Sequence, residues 1–146
     1  MKKILISYGT RPEIIKLSPI VRELDKRRLH FKTIFTGQHK DLYHDVKDLL
    51  PKPDYHLNIM KQNQSLTDIM SAISCQFGDI LKEESPELLM VQGDTSTVAI
   101  SALIAFYENI PVGHVEAGLR TYNLNSPFPE EGNRQIVSRI ATFNWA

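Results

Sequence analysis

The chain has 146 residues, which is enough for one ordinary domain with a buried core. Its 17 basic and 17 acidic side chains cancel, so no overall field attracts nucleic acid or an anionic membrane. The single cysteine, Cys75, excludes an internal disulfide framework, fits a reducing compartment and is expected to be a small buried apolar group.

The N-terminus begins with lysines before a short apolar run, as a signal peptide does. The run holds only about five residues, fewer than the roughly 7–15 of a signal-peptide core, and charges return immediately after it. No other stretch approaches the ~20 apolar residues that a transmembrane helix needs. We therefore predict a first strand over residues 3–8, in a cytoplasmic protein with no membrane or nucleic-acid partner.

The next predicted elements are a helix, a strand and a short helix. The first helix runs from about Pro12, in its first turn, to Arg28. Its apolar residues recur at helical spacing and form one stripe: Ile14, Leu17, Ile20, Val21 and Leu24. A second strand over 31–36 ends at Gly37, and residues 40–50 are predicted to form a short helix.

A loop and a long helix occupy the middle of the chain. Residues 51–64 are predicted to be mostly loop, with one short strand near Tyr55–Leu57. Ser65 and Asp68 have the spacing of a capping box, with aspartate in the place that glutamate usually holds. This signal predicts a helix that continues to about Glu84.

The last third of the chain alternates strands with helices. The run over 87–92 is nearly all apolar, which is typical of a strand buried on both faces. A helix is predicted over 95–109, a strand over 111–116 and a further helix over about 130–141. Residues 141–146 then enter another strand.

This alternation indicates one domain over residues 1–146, built as a doubly wound, parallel, Rossmann-like α/β sheet. In such sheets ligands bind beyond the carboxyl ends of the strands. Four loops are therefore candidate parts of a site: 9–12, 37–39, 93–96 and 116–130.

The loop after the first strand has residues suited to an anion. Gly9 allows a ligand to approach the backbone closely, and the following helix presents its N-terminus. Arg11 offers a fork for phosphate, and Lys16 lies a little over one turn later. The pattern is neither a dinucleotide-binding glycine motif nor a P-loop, so an ordinary turn with a surface arginine is an equal alternative.

Acidic residues follow two later strands. Asp94 comes directly after the apolar run, where it is a helix N-cap, an acid–base residue or both. In a strand, His114 and Glu116 would point to the same side, and buried polar groups there need partners or a function. One histidine beside one glutamate is weak evidence for a metal ion, so we expect no metal site.

The stretch 114–135 combines three carboxylates and two arginines in a segment rich in glycine, proline and asparagine. A helix dipole favours acids near a helix start, which explains at least one of Glu130 and Glu131. Carboxylates that share a cleft can supply both a proton donor and a proton acceptor near pH 7, and the arginines beside them, Arg120 and Arg134, would hold a phosphate. The residues alone therefore indicate a phosphate-bearing ligand and proton transfer by carboxylates.

Six segments together resemble one family. They are GTRPEIIKLSP, TGQH, PDYHLNIM, QGDTST, AFYENIPVGHVEAGLRT and SPFPEEGNRQ, in this order. In combination they are similar to the N-terminal half of the non-hydrolysing UDP-N-acetylglucosamine 2-epimerases, and the similarity covers essentially the whole chain. The resemblance implies a GT-B-type architecture of two Rossmann-like domains, of which this chain holds the first and lacks the C-terminal UDP-binding domain.

The resemblance further implies an isomerase that interconverts UDP-GlcNAc and UDP-ManNAc without a cofactor. The family eliminates UDP across C1–C2 and adds it back to 2-acetamidoglucal. Three positions match its catalytic carboxylates: Asp94, Glu116 and Glu130. Three others match its basic, substrate-binding residues: Arg11, Lys16 and Arg134. The match does not say which carboxylate removes the C2 proton.

Several expectations rest on the resemblance alone. Gln38 and His39 resemble part of a second, activating UDP-GlcNAc site, although Asp41 replaces the usual Glu or Gln. A homodimer, a role in surface polysaccharide synthesis and inactivity of these 146 residues alone are also implied. The alternatives are a non-catalytic sugar-nucleotide-binding domain, a glycosyltransferase, a hydrolysing epimerase, and a 2-epimerase of a modified UDP-sugar such as a diacetamido uronic acid. Thr10 and Glu13 argue against the last of these.

Overall fold

The computed structural model describes residues 3–37, 46–57, 59 and 63–146. Within these residues six strands form one sheet, and every neighbouring pair is parallel. The strands are β1 (Lys3–Tyr8), β2 (His30–Phe35), β3 (Tyr55–His56), β4 (Leu88–Gln92), β5 (Val112–Val115) and β6 (Phe143–Trp145). Their spatial order is β3-β2-β1-β4-β5-β6, which confirms the predicted parallel α/β sheet.

Helices connect most of these strands. They are α1 (Arg11–Lys26), α2 (Leu66–Glu84), α3 (Ser96–Tyr107) and α4 (Glu130–Ile140). Each confirms a predicted helix, with shifts of at most two residues at its ends. The helix predicted over 40–50 lies partly outside the described residues, and the described end of it is a 3-10 turn over Lys47–Leu49. No helix in the described part of the chain is long and apolar enough to cross a membrane.

The sheet separates two apolar layers, because successive residues of a strand face opposite sides. On one side the apolar stripe of α1 packs against Ile6 and Met90. On the other side α2, α3 and α4 pack against Leu5 and Leu89. Neighbours on β4 are thus buried in different layers, which confirms the prediction of a strand covered on both faces.

The start of α2 confirms a prediction from the sequence, whereas the exposure of its cysteine contradicts one. Asp68 N donates to Ser65 Oγ at 3.2 Å and Ser65 N donates to Asp68 Oδ2 at 2.8 Å, so the predicted capping box is confirmed. Cys75 is exposed, and the prediction of a buried thiol was wrong. It lies midway between the buried Ile73 and Phe77, and about 100° of rotation per residue places it on the opposite face of the helix.

The strand order reverses direction between β1 and β4. From β1 the chain continues to β2 and β3 on one side of the sheet, and from β4 it continues to β5 and β6 on the other. The loops that follow β1 and β4 therefore separate and leave a crevice at the carboxyl edge, where sheets of this kind bind ligands.

Candidate active site

An open cavity of about 230 Å³ lies at the carboxyl edge of the sheet, bordered by the loops after β1, β4 and β5. Its lining residues are Thr10, Pro12, Glu13, Lys16, Gln92, Gly93, Asp94, Thr95, Glu116, Leu119 and Arg134. The structure therefore brings four of the predicted site residues into one cavity: Lys16, Asp94, Glu116 and Arg134.

Glu116 contacts a cation and an amide in this cavity. Its carboxylate forms an ion pair with Lys16 of α1 and accepts a hydrogen bond of 2.5 Å from Gln92 Nε2. β5 ends at Val115, and Glu116 has a left-handed φ of 62°. The strand therefore ends one residue earlier than predicted, and the alternation of side chains along a strand does not relate Glu116 to His114.

Arg134 links Asp94, another carboxylate of the cavity, to Glu116. The guanidinium is almost fully buried and forms an ion pair with Asp94. Its Nη1 also donates to the backbone carbonyl of Glu116 and lies 4.0 Å from Glu116 Oε2. Asn133, the preceding residue of α4, donates from Nδ2 to the Asp94 carbonyl at 2.9 Å. One helix thus holds both the side chain and the backbone of Asp94.

The N-cap of α3 is Thr95 and not Asp94. The Thr95 hydroxyl accepts from Val98 N at 3.3 Å, as an N-cap side chain does. The carboxylate of Asp94 is therefore not used for capping and lines the cavity. Lys16 and Arg134 balance the two carboxylates Asp94 and Glu116, so the charges of these four side chains sum to zero.

Four polar residues of the cavity were not predicted as site residues: Thr10, Thr95, Glu13 and Gln92. Glu13 is 2 % exposed, and burial raises the pKa of its carboxyl against the opposing effect of hydrogen bonds from Gly9, Thr95 and Thr10. Gln92, equally buried, holds Glu116 from the end of β4. The available signal for Glu13 was its position three residues after Thr10, the spacing of a capping box.

His114 is fully buried beside the cavity and is paired on both ring nitrogens. Its Nε2 lies 2.7 Å from the Gly93 carbonyl, so this nitrogen must be the N–H donor. The Nδ1 atom, 3.2 Å from Ser138 Oγ, is then the acceptor. Burial lowers the pKa of His114, although the Gly93 contact opposes it, and the neutral ring links the β4–α3 loop to α4.

The two adjacent glutamates of α4 differ. Glu131 is buried and accepts from Thr121 N (2.9 Å), Tyr122 N (3.1 Å) and Gln135 Nε2 (2.8 Å). The Thr121 backbone bond and the Gln135 bond lower its pKa, and Glu131 holds the β5–α4 loop. Glu130 has a buried Oε2 with no hydrogen-bond partner among the described residues, and it does not line the cavity.

The remaining predicted site residues lie elsewhere. Arg11 is exposed at the first position of α1 and is not part of the cavity lining. Gln38 and His39 lie outside the described residues, so the activating site stays a prediction.

The sequence profile of the UDP-N-acetylglucosamine 2-epimerases matches residues 22–146. The chain belongs to the UDP-N-acetylglucosamine 2-epimerase family. Among curated proteins of this family, the chain is 49 % identical over 148 residues to the UDP-N-acetylglucosamine 2-epimerase of Salmonella borreze. That alignment covers 100 % of this chain and 39 % of the relative, so the chain spans well under half the length of the family members it matches.

Solved structures agree with this assignment. The crystal structure of the Neisseria meningitidis UDP-GlcNAc 2-epimerase bound to UDP-GlcNAc superimposes with a TM-score of 0.93 at 46 % identity, covering 99 % of this chain and 39 % of that one. Acinetobacter baumannii MurG matches with a TM-score of 0.71 at 14 % identity, covering 99 % of this chain and 41 % of that one. The second likeness concerns the fold alone, and it supports the predicted fold class.

Proposed function

We propose that this chain forms the catalytic N-terminal domain of a UDP-N-acetylglucosamine 2-epimerase, which interconverts UDP-GlcNAc and UDP-ManNAc. The observation that supports the proposal best is the convergence of Lys16, Asp94, Glu116 and Arg134 at the point where the strand order reverses. Acids and cations that meet in one crevice suit a substrate with an anionic leaving group and a proton to be moved.

The chemistry of the substrate explains why both kinds of side chain are needed. The C2 proton of the sugar has no neighbouring carbonyl, so its simple removal is very unfavourable. Loss of this proton to a carboxylate while the C1–O bond breaks gives 2-acetamidoglucal, and UDP leaves with the electron pair. Return of UDP to C1 and of a proton to the other face of C2 completes the epimerisation.

The contacts of the cavity suggest how the residues share this work. Asp94, Glu116 and Glu130 are proposed to supply the acid and base at C2. Lys16 and Arg134 are proposed to stabilise the pyrophosphate as it leaves, and the burial of Arg134 strengthens its effect. Arg11 is proposed to act with them. The roles of Arg11 and Glu130 are inferred from the family resemblance, because neither residue lines the cavity.

The whole enzyme is proposed to need a second domain. The matched relatives are more than twice as long as this chain. The segment that aligns with it makes up 39 % of their length. We propose that a C-terminal domain binds most of the UDP and that the 146 residues alone do not turn over the substrate. A homodimer and the supply of ManNAc-type sugars for surface polysaccharide belong to the same proposal.

The test uses residues 1–146 joined to the C-terminal part of the Neisseria meningitidis relative, whose matching segment is 47 % identical. This chimera is incubated with UDP-GlcNAc in D2O, and NMR follows the C2 proton. The expected result is UDP-ManNAc with deuterium at C2, and no UDP-ManNAc from the 146-residue chain alone. Asp94→Asn and Glu116→Gln should each lower turnover by roughly 10²-fold or more, whereas Glu23→Gln in an exposed ion pair should not.

Two outcomes would contradict the proposal. The first is a folded chimera that binds UDP-GlcNAc and retains its C2 proton. The second is turnover that survives in both carboxylate variants at the rate of Glu23→Gln, which would place the chemistry elsewhere.

A further inference from the structure

Glu13 is a buried carboxylate in the cavity that the proposed chemistry does not use. Its side chain lies between the loops that follow β1 and β4. Oε2 accepts from Gly9 N at 2.6 Å and from Thr10 N at 3.2 Å. Oε1 accepts from Thr95 Oγ1 at 2.9 Å. Oε2 thus accepts from the loop after β1, and Oε1 accepts from the loop after β4.

Helix capping explains only half of this arrangement. A capping box needs the bond from Thr10 N to the carboxylate, which satisfies the backbone at the start of α1. It does not need the bond to Thr95, which lies 82 residues further along the chain. Thr95 is the N-cap of α3 and follows Asp94 directly. The contact therefore joins the starts of the two helices that border the crevice.

We infer that Glu13 is a positioning residue that sets the distance between the Lys16 side of the cavity and Asp94, through its bond to Thr95. The inference rests on the proposed function, since that function gives the distance its importance. Lys16 lies one turn after Glu13 on α1, and both helix starts are held by the same carboxylate. A displacement near 1 Å between catalytic groups can lower a rate by roughly 100-fold.

The chemistry of the contacts predicts how substitutions of Glu13 differ. All three partners donate, so a carboxylate satisfies them better than any other side chain of this length. Glutamine keeps one oxygen for the two backbone donors, and its NH2 can donate to the Thr95 hydroxyl after that hydroxyl turns. Alanine removes both halves of the link. The glutamine variant should therefore lose much less activity than the alanine variant.

The experiment measures kcat and KM of the chimera for Glu13→Ala, Glu13→Gln, Thr95→Val and the double variant Glu13→Ala/Thr95→Val. We expect kcat to fall by roughly 100-fold in Glu13→Ala and about 10-fold in Thr95→Val, with KM changed by less than about 3-fold. The double variant should resemble Glu13→Ala, because both changes break one link, rather than fall by the roughly 1,000-fold product. Glu13→Gln should stay within about 10-fold of the parent.

Asp68→Ala is the matched control, because Asp68 occupies the equivalent capping position on α2, away from the cavity. It should lower thermal stability and leave kcat unchanged. A Glu13→Ala variant that behaves in the same way would overturn the inference, since Glu13 would then be a cap and nothing more. Losses that multiply in the double variant would overturn it too. If Glu13→Ala does not fold, Thr95→Val breaks the same link from its other side and is compared with Thr95→Ser, which keeps the hydroxyl; equal kcat values in these two variants would overturn the inference.

A second measurement separates this inference from the proposed function. The amide signals of Asp94, Thr95 and Val98 are followed by NMR in the 146-residue chain, without substrate. They should move in Glu13→Ala and stay in Asp68→Ala. An inactive parent chimera would count against the epimerase proposal, while these signals still report on the link. Signals that remain in place in Glu13→Ala would show that Glu13 does not position the β4–α3 loop.

Discussion

Replacing Glu84 by glutamine should destabilise the chain by about 3 kcal/mol at pH 7. Glu84 lies at the end of α2, and its side chain is 3 % exposed. Lys3 Nζ donates to Oε2 at 2.7 Å, Lys32 Nζ donates to Oε1 at 2.6 Å, and Tyr55 donates to the same Oε1. Burial alone would raise the pKa of Glu84, but these three hydrogen bonds outweigh it and lower the pKa to about 2.

The magnitude follows from this pKa. A fall from 4.5 to about 2 favours the folded, ionised form by about 3 kcal/mol, at about 1.4 kcal/mol per unit. Because the folded pKa is the lower one, this stability is fully present above pH 4.5 and disappears as the pH falls towards 2. At pH 3.5 about 2 kcal/mol should remain.

The assay is urea unfolding of the 146-residue chain, followed by far-ultraviolet circular dichroism at pH 7 and pH 3.5. Glu23→Gln is the control, because it removes the same charge from an exposed pair with Arg27 and should cost less than about 1 kcal/mol. The reasoning fails if Glu84→Gln costs no more than Glu23→Gln, or if its cost is the same at both pH values.

Three further predictions concern stability. Gly113→Ala would place Cβ 2.7 Å from Cζ3 of Trp145, so it should destabilise the chain by about 1–3 kcal/mol. It should also shift the fluorescence emission of the single tryptophan, and an unchanged spectrum would contradict this prediction. Gly132→Ala places Cβ in open space within α4 and should stabilise the chain by about 0.5–1 kcal/mol. The midpoint of urea unfolding should rise, and a lower midpoint would contradict the prediction. The pKa of His114 is lowered in the folded chain, so the unfolded chain binds this proton at a higher pH and stability falls as the pH drops below 6.5. Between pH 7 and 5.5, His114→Gln should therefore lose less stability than the parent chain. Equal losses in the two chains would refute this prediction.

The fold could be predicted from the sequence because local signals and the sheet agree. The apolar run of β4 and the capping box of α2 each identify an element without knowledge of its neighbours. Alternation of strands and helices then leaves few topologies. The failure at Cys75 was one of face rather than element, since the prediction rested on the residue type alone, whereas the helix places this position opposite the buried Ile73 and Phe77.

The site was partly predictable for a similar reason. Asp94 and Glu116 follow neighbouring strands, and parallel strands end at one edge, so their proximity follows from topology. The direction of Glu116 depends on its left-handed backbone, which nothing in the residue type signals, because glutamate rarely adopts it. The second bond of Glu13, to Thr95, depends on how two distant loops meet and has no local signature.

The contacts of α4 have a consequence for which substitutions the chain tolerates. Within this one helix Glu131 holds the β5–α4 loop, Arg134 holds Asp94 and Ser138 contacts His114. A substitution that rotates the helix would disturb all of these contacts together. In a saturation library, the inward positions should therefore accept few replacements and fail as a group, whereas the exposed Ile136 and Arg139 should accept many.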